Sequence, residues 1–328
     1  MKPIAITLGD PSGIGPEIVA KAVTSFSGVP LILIGDLEYS QTALSLCGLE
    51  FPWEISHAAN SSEVDHTVFV PTDRRNSANL QPGIANVDSG LAALAAIDLA
   101  ADLAARGICD AIVTAPISKT AIHLAGTSFP GHTELLADKA GLRRYAADFA
   151  MLFDSPRLRV ALLSVHVSLR EAIEMIDGEK IASLGVLLDR ELPRITGKKP
   201  RIAVAGLNPH AGEEGRFGRE EEVILAGVTA LKAAGVLADG PFAPDTVFLR
   251  ALDHAYDVVI AMYHDQGLIP VKTMDFEHSV NVTLGLPYLR VSVDHGTAFD
   301  IAGKGIANAA PMTYAIEWAI SHQKGWSR

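Results

Sequence analysis

The chain has 328 residues, 48% of them hydrophobic and 20% charged, a globular composition that excludes a disordered chain. Its formal net charge of −11 makes it a poor candidate for binding nucleic acid or an anionic membrane. At about 150 residues per domain, the length predicts two domains. The two cysteines, Cys47 and Cys109, lie far apart and exclude a disulfide framework or a CxxC site, which favours a reducing compartment.

The N-terminus leaves no room for the apolar core of a signal peptide, because Gly9 and Asp10 follow too early. No apolar run approaches the ~20 residues that a membrane-spanning helix requires. We therefore expect a soluble, cytoplasmic protein with no membrane or nucleic-acid partner.

Short β-branched runs alternate with longer helical patterns along the chain. A strand over 3–8 leads to a helix that opens with Gly15-Pro16-Glu17, and a helix over 87–105 is closed by Gly107. Near-continuous apolar runs predict further strands at 31–34, 111–114, 158–163, 201–205 and 258–262. The alternation predicts an α/β fold with a mostly parallel sheet. Since no clear linker appears, we expect two interleaved domains, 1–130 with 285–328 and 131–284.

Three histidines follow three predicted strands. His166, His210 and His264 each come directly after an apolar run, where ligands bind in open α/β sheets. Three imidazoles with an open position suit Zn²⁺ or a similar divalent ion. The alternative is that each is an ordinary histidine at a strand end. That alternative weakens when the three are taken together, because turn residues such as Pro209 and Gly267 bracket them.

A second group of residues is suited to an anion. Gly131-His132-Thr133-Glu134 opens a helical stretch, where backbone amides, the Thr133 hydroxyl and His132 can hold a phosphate. The alternative is that Thr133 caps the helix. Lys272 and Arg290, with Asn281 between them, can supply basic charge in this acidic chain, although, taken alone, two surface cations are the favoured interpretation.

Two glycine-rich segments bear on nucleotide binding. Residues 10–17 form a strand-to-helix turn that matches neither GxGxxG nor a P-loop, so a tight turn suffices to explain it. Residues 294–308 hold three glycines, and Asp300 there can bind the ribose hydroxyls of an adenosine. The alternative is a glycine-rich loop at a domain crossing.

Six motifs in order, with family-like spacing, resemble the PdxA family of 4-hydroxythreonine-4-phosphate dehydrogenases, enzymes of pyridoxal phosphate biosynthesis. They are GDPSGIGPE, APISKTAIHLAG, FPGHTELLA, LNPHAGEEGRFGREE, AMYHDQGLIPVK and VNVTLGLPYLRVSVDHGTAFDIAGKG. The segments GIGPE and HGTAFDIAGKGIAN resemble, more distantly, the isopropylmalate and isocitrate dehydrogenases. The resemblance implies two α/β/α domains with a cleft between them, as in isopropylmalate dehydrogenase.

The resemblance also implies roles for matching residues. The divalent-metal ligands of the family correspond to His166, His210 and His264, with Zn²⁺ favoured and Mg²⁺ or Co²⁺ as alternatives. Its substrate contacts correspond to His132, Thr133, Lys272, Asn281 and Arg290. The adenosine end of NAD, or of NADP, would be lined by His295, Gly296, Ala298, Asp300 and Asn308. The family is homodimeric, and each active site is built from both subunits at their interface.

The implied reaction oxidises 4-phosphooxy-L-threonine at C3 with NAD and then releases CO₂, giving 3-amino-2-oxopropyl phosphate. A metal would act as a Lewis acid on the C3 oxygen. Candidates for proton transfer or orientation are Lys119, Asp245 and Lys272, and Asp245 is also a candidate partner of a ligating histidine. Asp300 would repel a 2′-phosphate, which favours NAD over NADP. The identity of the general base stays open.

Other functions stay open as well. A related enzyme would oxidise 4-phospho-D-threonate or 4-phospho-erythronate in sugar-acid catabolism, and another would act on a dihydrodiol dicarboxylate. The GHTE motif with Lys119 and Arg290 favours a phosphorylated substrate over the dihydrodiol. A non-catalytic sensor of a phosphorylated metabolite needs no histidine metal site. A structural zinc site usually has four ligands, often with cysteine, and neither cysteine lies near these histidines in the sequence.

Overall fold

The structure, a computed structural model, describes residues 2–56, 64–72 and 80–326. The chain divides into two compact units, the first made of Met1–Gly141 with Leu286–Arg328 and the second of Leu142–Gly285. The second unit is therefore inserted into the first along the chain. The boundary expected at 130/131 lies at 141/142 in the structure, so residues 131–141 belong to the first unit.

Strands and helices are numbered in chain order. The strands of the first unit are β1 (Ile4–Thr7), β2 (Leu31–Gly35), β3 (Glu54–Ile55), β4 (Val68–Pro71), β5 (Ala111–Thr114) and β12 (Leu289–Val293). They pair in parallel in the order β3-β4-β2-β1-β5-β12. Every residue of β1, β2 and β5 is buried, as expected for strands covered on both faces.

The first unit also contains the following helices, which include those that the sequence predicted from Gly15 and over 87–105. They are α1 (Gly15–Val23), α2 (Leu37–Leu46), α3 (Val87–Ala105), α4 (Lys119–Leu124), α5 (His132–Lys139) and α12 (Ala310–His322), followed by a 3₁₀ turn (Gln323–Gly325). The bounds predicted for α3 are confirmed. Asn86 and Ser89 form a capping box at its start, and Gly107 with φ of 71° follows its end.

The second unit contains β6 (Ala150–Asp154), β7 (Arg159–Leu162), β8 (Ile202–Ala205), β9 (Ala238–Phe242), β10 (Val258–Ala261) and β11 (Val280–Leu284). Their order is β11-β6-β7-β10-β8-β9. The strand β6 is antiparallel to both β11 and β7, and the remaining neighbours pair in parallel. The prediction of an α/β fold is confirmed, and the mostly parallel sheet gains an antiparallel portion in this unit.

The helices of the second unit are α6 (Leu169–Glu174), α7 (Gly178–Glu191), α8 (Pro193–Thr196), α9 (Glu220–Ala233), α10 (Val247–Leu252) and α11 (His264–Met274), with a 3₁₀ turn over Pro209–Gly212. Helices α7 and α9 pack closely at Gly185, where an added Cβ would lie 2.4 Å from a methyl carbon of Leu231. Glycine, which has no Cβ, allows this approach. Within the described residues, no helix is both long enough and apolar enough to cross a membrane.

Since β7, β10 and β8 are neighbouring parallel strands, their carboxyl ends lie along one edge of the sheet. His166, His264 and His210 follow these three ends. The fold of the second unit therefore places all three predicted ligands on segments that leave the same edge.

Candidate active site

A buried arginine forms the centre of the predicted anion-binding group in the first unit. Arg290, on β12, is 2% exposed. Its Nη1 donates to Thr133 Oγ1 at 3.2 Å, and its Nη2 donates to Thr114 Oγ1 at 2.9 Å. Burial lowers the pKa of Arg290 to about 10, while the nearby Glu134 carboxylate acts in the opposite direction. The guanidinium therefore stays charged at neutral pH and is held in a fixed orientation.

Helix α5 contributes two more groups. Gly131 is its N-cap and supplies no side-chain hydrogen bond, so Thr133 contacts Arg290 and does not cap the helix. Burial, and then the charge of Arg290, lower the pKa of His132 well below its usual range, so this imidazole is neutral at pH 7. Its Nε2 is buried and has no hydrogen-bond partner within the described parts of the chain. A guanidinium, a hydroxyl and an unsatisfied imidazole nitrogen beside a helix start suit a phosphate.

The residues expected to bind the cofactor lie in residues 294–309, which contain no helix or strand and follow β12. Asp300 and Gly296 are exposed, and Ala298 has a φ of 42°. His295 Nδ1 lies 3.1 Å from the carbonyl oxygen of Gly296. Asn308 Oδ1 accepts a hydrogen bond from the amide of Ala310 at 2.9 Å, so Asn308 also supports the start of α12.

Two of the three predicted metal ligands lie side by side in the second unit. The ring centroids of His166 and His264 are 5.8 Å apart. Both rings line a cavity of about 230 Å³, together with Tyr263, Asp265 and apolar residues of the segment after β7. His264 Nδ1 lies 2.7 Å from Asp265 Oδ1. This contact fixes the ring orientation and leaves Nε2 as the nitrogen that can ligate a metal.

His210 lies in a separate 3₁₀ turn and has a left-handed backbone, with φ of 54°. Its ring contacts Phe217, with 6.3 Å between centroids. Within residues 2–56, 64–72 and 80–326, no three His, Cys, Asp or Glu side chains are grouped so that they could hold a metal ion. The structure therefore brings His166 and His264 together within one chain, and His210 does not complete the group there.

The remaining predicted residues are dispersed. Lys119 is exposed at the first position of α4, and Asp245 is exposed in the turn before α10. Lys272 lies in the last turn of α11, with Nζ 5.6 Å from the Phe276 ring. Asn281 Nδ2 lies 3.9 Å from the sulfur of Met151, and its Oδ1 is buried without a partner among the residues described.

Sequence reasoning missed Thr114 beside Arg290 and three supporting residues in the second unit. Asp265 makes the carboxylate contact with a histidine that was expected of Asp245. The buried Glu221 accepts from the amides of Leu207 and Asn208 at 3.0 and 2.7 Å, and so fixes the chain just before His210. Gln266 accepts from the amide of Met262 at 2.7 Å and donates to the carbonyl of Gly206 at 2.8 Å, which ties β10 to β8. Asp265 and Gln266 follow His264 directly, so the HDQ triplet was the available signal.

Comparison with known proteins gives a consistent result. Residues 28–319 match the family model described as pyridoxal phosphate biosynthetic protein PdxA. The chain is 42% identical to the D-threonate 4-phosphate dehydrogenase of Salmonella typhimurium, with 97% of this chain and 98% of that protein covered. It is 43% identical to the 4-hydroxythreonine-4-phosphate dehydrogenase of Beijerinckia indica, with 97% and 94% covered.

A crystal structure of 4-hydroxythreonine-4-phosphate dehydrogenase from Klebsiella pneumoniae has 41% sequence identity and a TM-score of 0.87. The alignment covers 98% of this chain and all of that one. The α/β fold and the family resemblance seen in the motifs are thereby confirmed. The relatives of both substrate types are dehydrogenases, so the chain is an oxidoreductase, and it belongs to the PdxA family of pyridoxal phosphate biosynthetic proteins.

Proposed function

We propose that this protein is an NAD-dependent dehydrogenase that oxidises 4-phosphooxy-L-threonine at C3, with subsequent loss of CO₂ to give 3-amino-2-oxopropyl phosphate. The observation that carries the proposal is the buried Arg290, oriented by Thr133 and Thr114 beside the neutral His132. A fixed, desolvated guanidinium matches a phosphate ester through paired charge-assisted hydrogen bonds. The chemistry of this group thus supports a small phosphorylated substrate.

The residues of the second unit fit a divalent metal in part. His166 and His264 are close enough to ligate one ion, and Asp265 orients His264 as carboxylates orient metal-bound imidazoles. Imidazole ligands suit Zn²⁺ or Co²⁺ better than Mg²⁺. When bound, such an ion supplies Lewis-acid polarisation of the substrate oxygen at C3. His210 is the third ligand in this proposal. Because it does not join His166 and His264 within the described part of one chain, it must come from a different chain.

A second copy of the chain is the source that we propose for the third ligand. The segment beside the pair presents Val167, Leu169, Ile173 and Met175, each between 37% and 56% exposed. Adjacent exposed apolar side chains of this kind are typical of a surface that another protein covers. A homodimer that packs here would cover them and complete each histidine group from two subunits.

Complementation tests this shared site. H166A and H210A homodimers should both be inactive and lack metal. Mixed dimers made by co-expression should contain one intact site, so the mixture should recover roughly a quarter of wild-type activity. If all three ligands came from the same chain, both sites of a mixed dimer would stay broken and no activity would return. H166A mixed with H264A is the matched control and should stay inactive, because these two side chains come from one subunit.

The cofactor part of the proposal is supported by the segment over 294–309. Gly296 is exposed, has no left-handed φ, and a Cβ built on it would meet no atom within 4 Å. Neither packing nor backbone conformation in the protein itself requires glycine there, so the missing side chain leaves space for a ligand. NAD, when bound, supplies the hydride acceptor. The exposed carboxylate of Asp300 is suited to ribose hydroxyls and disfavours the 2′-phosphate of NADP.

Proton transfer requires a group near the reacting carbon. Lys119, Asp245 and Lys272 are the candidates that we propose. His132 is neutral and can hold or donate a hydrogen bond to the substrate, and Asn281 offers a buried amide oxygen as an acceptor. We assign the general base to none of them.

The substrate test is the appearance of NADH absorbance with 4-phosphooxy-L-threonine, with and without EDTA, beside 4-phospho-D-threonate. Turnover of the amino acid that EDTA abolishes supports the proposal. The second candidate, oxidation of 4-phospho-D-threonate, is favoured by the 42% identity to a dehydrogenase of that name. Turnover of the threonate alone would establish this alternative and contradict the first. The phosphate group of either substrate suits Arg290, so only the amino or hydroxyl group at C2 distinguishes them.

A further inference from the structure

A buried ion pair on α1 holds the segment to which the proposed function assigns the cofactor. The Glu17 side chain is 1% exposed and lies in the first turn of the helix, and that of Lys21 is 28% exposed one turn later. Lys21 Nζ donates to Glu17 Oε1 at 2.6 Å. An ion pair this deeply buried is costly unless further hydrogen bonds satisfy both groups.

Apart from a contact of Cys47 Sγ with Glu17 Oε2 at 3.5 Å, those further hydrogen bonds go to the segment that precedes α12. The amide of Ala307 donates to Glu17 Oε1 at 2.7 Å. Lys21 Nζ donates to the carbonyl oxygens of Gly305 and Ala307 at 2.9 and 3.0 Å. The ion pair therefore makes hydrogen bonds to three backbone groups of residues 305–307, which lie nearly 290 positions away in the sequence.

Neighbouring contacts hold the same segment from other sides. The amide of Ile14, just before α1, donates to the carbonyl of Thr297 at 3.0 Å. Gly305 has φ of 69°, and a Cβ there would lie 2.6 Å from the carbonyl oxygen of Cys47. The segment packs against α1 and the end of α2 so tightly at this point that only glycine fits.

The segment needs such external support because it has little of its own. It contains no helix or strand, and backbone hydrogen bonds within it join Ala298 to Ile301 and Ile301 to Lys304. Around the contact with the pair, Ala307 is buried, whereas Ile306 and Asn308 are exposed. Because the ion pair holds Ala307 in the interior, the adjacent residues Ile306 and Asn308 are directed toward the surface.

We propose that Glu17 and Lys21 are positioning residues for dinucleotide binding, which fix the segment over 294–309 in the conformation that receives the adenosine half of NAD. This inference rests on the proposed function. Neither residue touches the cofactor in it. Their effect is on the affinity for NAD, because an unheld segment must be ordered when the ligand binds.

The test compares K21M with K2M. Lys2 forms a similar ion pair with Asp110 at 2.8 Å, also in the first unit, with side chains 35% and 8% exposed. We expect K21M to raise the Kd for NAD⁺ of the substrate-free protein about tenfold or more, because it loses charge-assisted hydrogen bonds to two carbonyls. KM for NAD⁺ should rise in parallel while kcat stays within about threefold. K2M should keep the wild-type Kd.

Two further variants sharpen the result. K21R keeps the charge and donors and should recover much of the affinity. E17Q keeps an acceptor for the amide of Ala307 and should weaken binding less than K21M. Hydrogen exchange of the amides at 305–308 should accelerate in K21M and not in K2M, which reports the segment without any cofactor.

The outcomes separate the inference from the function on which it rests. If the wild-type protein binds NAD⁺ and K21M binds it equally well, the positioning role is wrong and the proposed cofactor stands. If K2M weakens binding as much as K21M, the effect is general destabilisation and the inference is also wrong. If the wild-type protein binds no NAD⁺ at all, the proposed cofactor fails, and the positioning role fails with it.

Discussion

Arg290 in the first unit and the pair of His166 and His264 in the second are built in opposite ways. Arg290 is 2% exposed, and hydroxyls of its own chain orient both terminal nitrogens. The side chain of His264 is 38% exposed, and His166 beside it lies at the surface. One group is complete within a single chain, and the other is a pair without a third ligand among the residues that the structure describes. A single chain therefore preorganises the proposed phosphate site but only part of the proposed metal site.

The largest expected effect comes from the histidine pair. H264A should lower kcat about 1000-fold or more and remove bound metal, because a two-ligand remnant holds a divalent ion weakly. Metal content per subunit, measured by plasma mass spectrometry, checks the change alongside activity. H66A is a matched control, since His66 Nδ1 also lies 2.6 Å from the carboxylate of the adjacent Asp65. Full activity of H264A with unchanged metal content would contradict the ligand assignment.

Arg290 should give the next largest effect. R290K keeps the charge but cannot hydrogen-bond both threonines and a phosphate, so kcat/KM should fall about 100-fold. The preference for phosphorylated over unphosphorylated 4-hydroxythreonine should shrink by the same factor. R106K changes an exposed arginine that pairs with Asp102 and should leave both quantities unchanged. If R290K kept the full preference for the phosphorylated substrate, the phosphate would have to bind at another site, and the assignment to Arg290 would be wrong.

A smaller effect is expected at Asp265. D265N keeps the size of the side chain but removes the carboxylate that orients His264, and such partners typically contribute 10- to 100-fold to metal affinity or activity. Competition with a chromogenic chelator measures the metal affinity directly. D65N, beside His66, is the matched control. The same metal affinity in D265N and wild type would show that this contact does not orient a ligand.

The smallest effect on activity, but a measurable one on stability, is expected at Asp10. Burial raises the pKa of this fully buried carboxyl from 3.8 to about 6. A raised pKa means that its stabilising contribution is present below pH 3.8 and is lost as the pH rises through about 6. The loss amounts to at most about 3 kcal/mol of unfolding free energy.

D10N removes this titration, so between about pH 4 and 6.5 its unfolding free energy should depend less on pH than that of the wild type. Urea unfolding at several pH values measures the difference. D102N, at an exposed position, should keep the wild-type pH dependence. Parallel pH curves for D10N and wild type would mean that Asp10 titrates normally.

The sequence predicted the elements that local patterns determine. The helix α3 and the strands β5 and β10 were placed to within a residue, because capping residues and continuous apolar runs mark their ends. The strands β6 and β11 were not predicted. Their identity depends on pairing with each other, as where Asn281 lies opposite Phe153, and no local pattern encodes a partner so distant in sequence.

For the candidate site too, local patterns predicted some features, and contacts between distant parts of the sequence determined the rest. The motifs identified His132, Thr133 and Arg290, but the contact between Arg290 and Thr133 spans 157 positions, and it also places α5 in the first unit rather than in the second. Thr114 went unnoticed because nothing in AIVT distinguishes its threonine from an ordinary strand residue. His210 lies in a turn with left-handed residues, which the sequence did not signal, and it does not join the other two histidines in the part of the chain that the structure describes.

The insertion of one unit into the other also orders events during synthesis. Strand β12 pairs with β5 and carries Arg290, but the ribosome makes it only after all of Leu142–Gly285. At about 5–20 residues per second, that interval lasts roughly 7 to 30 s. During this interval β5 has no β12 with which to pair. The inserted unit is continuous in sequence and can already fold. A chain released early therefore lacks the guanidinium altogether, and the proposed phosphate site is completed among the last steps of maturation.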